Sequence, residues 1–140
     1  MQEIDVRTGS SAPPERIWAL LADARAWPRW APFDEAAVED GEGLGELRRF
    51  RTGRRVTRER LTGFDPPRRL EYELVSGIPI RDYRAEVTLT PEADGTAIRW
   101  HSRFRSKIPG TGALARRGLE RFIQRTAEGL AREAEQAPPG

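Results

Sequence analysis

From Leu114 to Ala134 the chain carries Leu114, Leu119, Phe122, Ile123, Thr126, Ala127, Leu130 and Ala134 on one helical stripe. Arg117, Glu120, Arg121, Gln124, Arg125, Glu128, Arg132 and Glu135 occupy the other face, with Glu128 and Arg132 in the favourable i, i+4 order. Pro109-Gly110 and Gly112 break the chain just before this helix. Nearly everything between residue 34 and that break alternates with period two. An antiparallel sheet of this kind buries one face, and the final helix is the only element long enough to cover it. The pattern therefore predicts an α+β domain in which a curved antiparallel sheet wraps around one long C-terminal helix. Strong curvature leaves space between the two layers.

The earlier elements fit this plan. Ile4, Val6 and Thr8 alternate with Asp5 and Arg7 as a first strand. Pro13, Pro14 and Glu15 suit the first turn of a short helix that continues through Ile17, Leu20 and Leu21 to about Asp23. Asp23 can cap a second short helical turn carrying Trp27, and Pro28, Trp30, Pro32 and Phe33 oppose further helix. Five or six strands follow, punctuated by glycine and proline. Gly53-Arg54 reads as a two-residue type II′ hairpin loop, which places Arg48 opposite Glu59. In that register Arg48, Phe50, Thr57, Glu59 and Leu61 share the inner face, and Leu47, Arg49, Arg51, Val56, Arg58 and Arg60 the outer one. Tyr72 and Tyr83 fall on inner faces, as do Ile98, Trp100, Ser102 and Phe104, whereas His101 points outward. Residues 1–136 read as one domain and 137–140 as a frayed tail.

Composition narrows the chemistry. The chain has no cysteine and one histidine, which excludes thiolate sites and disfavours histidine-rich metal centres, so neither metal nor cofactor is expected. No apolar run approaches the length of a membrane span and no leader pattern precedes the first strand, which makes a cytoplasmic location the expectation. Lys107 is the single lysine among 24 basic residues, which stand among 22 carboxylates. This interleaving disfavours nucleic acid as a partner, although Arg48, Arg49, Arg51, Arg54, Arg55, Arg58 and Arg60 fall on two adjacent strands and leave open a basic patch for a protein or RNA. No nucleophile elbow, phosphate loop or dinucleotide motif is present.

Several segments taken in order resemble the bacterial polyketide cyclase/dehydrase group of the START-like, or SRPBCC, superfamily, which also includes the birch-pollen-allergen type proteins. They are APPERIWALLAD at Ala12–Asp23, WPRW at Trp27–Trp30, Arg58-Glu59, DPPRRL at Asp65–Leu70 and GTAIRW at Gly95–Trp100. The resemblance implies a helix-grip fold with a cavity between sheet and final helix for a polyketide, lipid or other apolar ligand. Relatives include cyclases, dehydratases, carriers and receptors, so it does not by itself imply catalysis.

On this footing the expected polar anchors are an Arg48–Glu59 ion pair and the hydroxyls of Tyr72 and Tyr83. The expected wall comprises Trp30, Phe50, Leu61, Trp100, Phe104, Leu119, Phe122 and Ile123. Trp27, Trp30 and Phe33, with the loop Gly77–Ile80, are a candidate gate. Three readings follow: a binding or carrier domain for a hydrophobic small molecule, an enzyme using Glu59, Tyr72 or Tyr83 as acid–base groups, or an interaction module using the arginine-rich outer face. Monomer and homodimer both remain open, because a sheet edge can pair.

Overall fold

The computed structural model describes residues 1–136; the tail expected at 137–140 lies outside the described residues. Strand β1 (Gln2–Ser10) is followed by helix α1 (Pro14–Ala22) and a 3-10 helix over Ala24–Arg29. Strands β2 (Glu35–Asp40), β3 (Leu47–Thr52), β4 (Arg55–Asp65), β5 (Arg69–Ser76), β6 (Ile80–Glu92) and β7 (Gly95–Ser106) come next, and helix α2 (Gly112–Glu135) ends the order. All seven strands form one antiparallel sheet in the order β1-β7-β6-β5-β4-β3-β2. This is the α+β helix-grip architecture that the alternation and the lone helix imply.

The local signals act as expected. Pro14 opens α1, and the Asp23 carboxylate accepts a hydrogen bond from the Arg25 amide at 3.0 Å to start the 3-10 helix. Gly53 takes φ +58° in the loop that closes the Thr52–Arg55 pair, so Arg48 lies opposite Glu59 as the hairpin spacing requires. Register shifts at Arg58/Glu59 and Leu61/Gly63 in the β4–β5 pair, and at Arg81/Arg84 in β6–β7, mark bulges that add twist to the sheet.

Helix α2 starts at the end of the sheet where the β3–β4 and β5–β6 loops lie and runs back toward the β6–β7 turn. Its C-terminal half is fastened to the first strand: Ser10 Oγ donates to the Ala131 carbonyl at 2.9 Å, and Glu135 accepts from the Ser11 amide at 2.9 Å. Ile123, Ala127, Leu130, Ala131 and Ala134 are buried there in the core. None of the described helices is long and apolar enough to cross a membrane.

A glycine decides how closely α2 can approach. A Cβ on Gly129 would lie 2.0 Å from the Trp30 carbonyl oxygen, so the helix seats directly on the backbone that leaves the 3-10 helix. Gly129→Ala should therefore cost about 2–3 kcal/mol, the upper part of the usual overpacking range, despite alanine's better helix propensity. Urea denaturation checks this, and a gain in stability would show that α2 does not sit at this distance.

Candidate functional site

The N-terminal half of α2 stands away from the sheet and leaves a hollow of about 330 Å³. Phe33, Leu74, Ile78, Leu119 and Phe122 supply its apolar surface; Thr52, Thr57, Tyr72 and Tyr83 supply hydroxyls; Glu59, Arg55 and Gly118 complete the lining. Its volume and its apolar walls with few polar groups suit a small organic ligand.

Of the residues expected at the site, Glu59, Tyr72, Tyr83, Leu119 and Phe122 meet around this hollow. Trp30, Phe50, Leu61, Trp100, Phe104 and Ile123 are buried in the core beneath it and do not border it. The proposed gate divides in the same way. Trp27, 2 % exposed, packs on Phe50 with ring centroids 5.1 Å apart and donates from Nε1 to the Leu21 carbonyl at 3.1 Å, so it is core. Phe33 and Ile78 do reach the hollow, and Phe33 stacks on Phe50 at 4.6 Å. Thr52, Arg55 and Leu74 also line it, although the sequence reading does not single them out. Inward alternation after Tyr72 is a signal for Leu74, whereas Arg55 lies at a hairpin tip that periodicity does not orient.

The Arg48–Glu59 ion pair is the main correction. Although the two residues are cross-strand partners, the Arg48 side chain turns toward α1. Its Nε donates to Glu46 Oε2 at 2.5 Å, Nη1 to the Leu21 carbonyl at 2.9 Å and Nη2 to the Ala22 carbonyl at 2.6 Å. Both α1 carbonyls belong to its last turn, where helical partners run out and a cation complements the helix dipole. Arg48, 1 % exposed, thus fastens the end of α1 to β3, with Glu46 neutralising it. The competition is invisible in the strand pattern because two carbonyls from α1, together with the neighbouring Glu46 carboxylate, outcompete the cross-strand carboxylate.

Among the described residues Glu59 consequently has no salt-bridge partner. It keeps partial exposure because it faces the hollow, and protein encloses the rest of the side chain. Burial pushes its carboxyl up to about 8, outweighing the opposing positive charge of Arg48. At neutral pH Glu59 is therefore predominantly a neutral acid with a proton to donate. Burial also raises both phenols: Tyr83 to about 12, helped by Glu59, and Tyr72 well above the ordinary tyrosine range, helped by Tyr83 and Glu59. Trp100 Nε1 donates to the Tyr72 oxygen at 3.2 Å. Because an indole can only donate, Tyr72 is left to offer its own proton elsewhere. The Tyr72 and Tyr83 rings lie 6.2 Å apart, and both hydroxyls line the hollow together with Glu59.

On the opposite surface of the sheet the central arginines are largely engaged. Arg58 meets Glu39 at 2.7 Å, Arg51 meets Glu35 at 3.2 Å, and Arg69 binds both Glu86 and Glu71. His101 contacts Glu3 and takes no part in the hollow.

Similar folds are found among solved structures. The protein XoxI from Bacillus cereus has a TM-score of 0.82 at 16 % identity, covering 95 % of each chain. A START superfamily protein from Mycobacterium smegmatis also gives 0.82, at 17 % identity over 96 % of this chain and 97 % of that one. TTHA0849 from Thermus thermophilus gives 0.69 at 22 % identity over 96 % and 94 %. No curated protein sequence matches the chain. The sequence profile described as "Polyketide cyclase / dehydrase and lipid transport" matches residues 1–135, essentially the whole domain whose geometry is given above. The chain belongs to that polyketide cyclase / dehydrase and lipid transport family, within the SRPBCC superfamily.

Proposed function

We propose that this protein binds an uncharged, largely apolar small molecule, aromatic or polyketide-like, in the hollow between sheet and α2, and holds it by a hydrogen-bond acceptor such as a carbonyl oxygen. The observation that carries this reading is the polarity of the lining. Phe33, Leu74, Leu119 and Phe122 form walls for a flat apolar body, while the raised carboxyl of Glu59 and the hydroxyls of Tyr72 and Tyr83 stand in the same lining. Such a wall favours an acceptor. A carboxylate ligand would raise the pKa of Glu59 further and would have to leave water to enter.

The same lining supports a second reading, acid–base catalysis of the cyclase or dehydratase type. A carboxyl raised to about 8 exchanges its proton readily near neutral pH, and an enclosed apolar site strengthens its action on a bound carbonyl. Here Glu59 would shuttle a proton and the tyrosines would polarise the carbonyl oxygen.

Binding is tested with 2-naphthol, a flat uncharged fluorophore, by titration against the protein. Saturable binding is expected, and Leu119→Trp, which fills the hollow, should weaken it at least about tenfold through lost apolar burial and steric exclusion. Equal affinity in the variant would place the probe elsewhere and remove the support for this reading. Native mass spectrometry of protein gently purified from its host would identify a co-purifying ligand.

A further inference from the structure

Charge is segregated along this chain. Between Arg103 and Arg125 lie seven of the 24 basic residues and a single carboxylate, Glu120, whereas the other 17 basic residues face 21 carboxylates. The fold gathers the basic segment at one end of the molecule, because β7 ends there and α2 begins there. This is also the open end of the hollow: the Gly53 hairpin tip, the Gly77–Pro79 loop and the first turns of α2 surround it, and Arg55, Ile78 and Gly118 line it.

Large apolar side chains are exposed at the same end. Ile108 is 64 % exposed and Leu114 75 %, and Met1, 71 % exposed, directly precedes β1, whose Gln2 pairs with Phe104 near the end of β7. On α2, Leu114, Arg117 and Arg121 follow at i, i+3 and i+7, so one exposed stripe combines an apolar tip with two cations beside Gly118. Acidic groups at this end have partners: Glu120 meets Arg116 at 2.9 Å, Asp82 meets Arg105 at 3.9 Å, Asp34 and Glu35 meet Arg51 at 3.6 and 3.2 Å, and Glu3, opposite Arg103, contacts His101. No described ion pair engages Arg117, Arg121 or Lys107. The far end carries Glu42, Glu92, Asp94 and Glu135 in its loops and at the end of α2.

We propose that the open end of the hollow docks on an anionic lipid surface, with Arg117, Arg121 and Lys107 meeting headgroups while Ile108 and Leu114 enter the interface. The partner's chemistry follows from the mixture. Cations alone suit any polyanion, but bulky aliphatic side chains projecting among them gain free energy only where apolar material lies behind the negative charge. The acidic far end is repelled by such a surface, so the field of the whole molecule turns the opening toward it. An apolar ligand then passes between bilayer and hollow without crossing bulk water. The docking surface goes beyond the ligand reading and stands on separate residues.

Vesicle co-sedimentation tests it, comparing phosphatidylcholine vesicles with mixed phosphatidylcholine/phosphatidylglycerol vesicles. Binding is expected to the mixed vesicles and to be absent or weak on phosphatidylcholine alone. Arg117→Glu/Arg121→Glu should lower partitioning at least about tenfold, since each basic group near the surface contributes appreciably. Ile108→Ser/Leu114→Ser should remove the part that survives high salt. Neither pair borders the hollow, so 2-naphthol binding in solution should be unchanged in both, which also reports that the variants fold. Equal binding to the two vesicle types, no binding to either, or no response to charge reversal would overturn the proposal. So would tighter binding to a duplex oligonucleotide than to the mixed vesicles with Ile108→Ser/Leu114→Ser unaffected. Failure of 2-naphthol to bind the unaltered protein would count against the ligand reading alone.

Discussion

Arg48→Met is expected to destabilise the protein by about 3–5 kcal/mol, the range for breaking a buried ion pair by removing one partner. The substitution keeps an unbranched side chain beside Trp27 but strands the Glu46 carboxylate in the core, takes the guanidinium donor from the Ala22 carbonyl at the end of α1 and leaves the Leu21 carbonyl with the Trp27 indole as its side-chain donor. With total stabilities of order 5–15 kcal/mol, a loss of this size leaves a marginal fold. Urea denaturation followed by tryptophan fluorescence reads it directly. The double variant Glu46→Gln/Arg48→Met should recover part of the loss, because the stranded charge is gone even though the helix end is still unfastened. A loss below about 1 kcal/mol in the single variant would mean that the guanidinium does not hold this position.

Glu59→Gln is expected to do the opposite, and in a pH-dependent way. A carboxyl held at about 8 in the folded protein binds a proton that the unfolded chain, near its ordinary value of 4.5, has released. Over that window the folded state carries more protons than the unfolded one, so stability falls as pH rises. Below 4.5 both states are protonated and Glu59 makes no difference. Approaching pH 8 it costs on the order of 3 kcal/mol, allowing for water in the hollow. Glutamine mimics the neutral acid and cannot ionise. The variant should therefore match the parent near pH 4.5 and exceed it progressively up to pH 8, as measured by urea denaturation across that series. Parallel curves, with the same difference at every pH, would show that Glu59 is ionised in the fold or titrates normally. The same substitution separates the two functional readings: retained ligand affinity with lost turnover of a candidate polyketide marks acid–base chemistry, and unchanged turnover excludes it.

These two residues also show where sequence reasoning stops. The hairpin spacing correctly puts Arg48 opposite Glu59, and alternation correctly sends both inward. Adjacency in a ladder concerns backbones, however, and a side chain as long as arginine can choose among acceptors several ångströms apart. The end of α1, some 26 residues earlier in the chain, supplied better ones in Leu21 and Ala22. For the aromatic residues the difficulty was similar. Trp30, Phe50, Leu61, Trp100, Phe104 and Ile123 are inward-facing as alternation requires, but inward includes both solid core and hollow. Which is which depends on where α2 touches the sheet and where it stands off.

Periodicity, turn residues and one long amphipathic segment were enough to determine the strand faces, the hairpin register, the succession of elements and the α+β helix-grip plan, because each of these is a local or nearest-strand property set by backbone geometry. Only the tertiary structure decided that Arg48 serves α1 and Glu46, that Glu59 has no salt bridge among the described residues and has its carboxyl pushed up by burial, and that the basic segment from Arg103 to Arg125 gathers at the open end of the hollow. Those outcomes arise from competition among groups distant in sequence, and that competition is settled only when the layers pack and water is excluded.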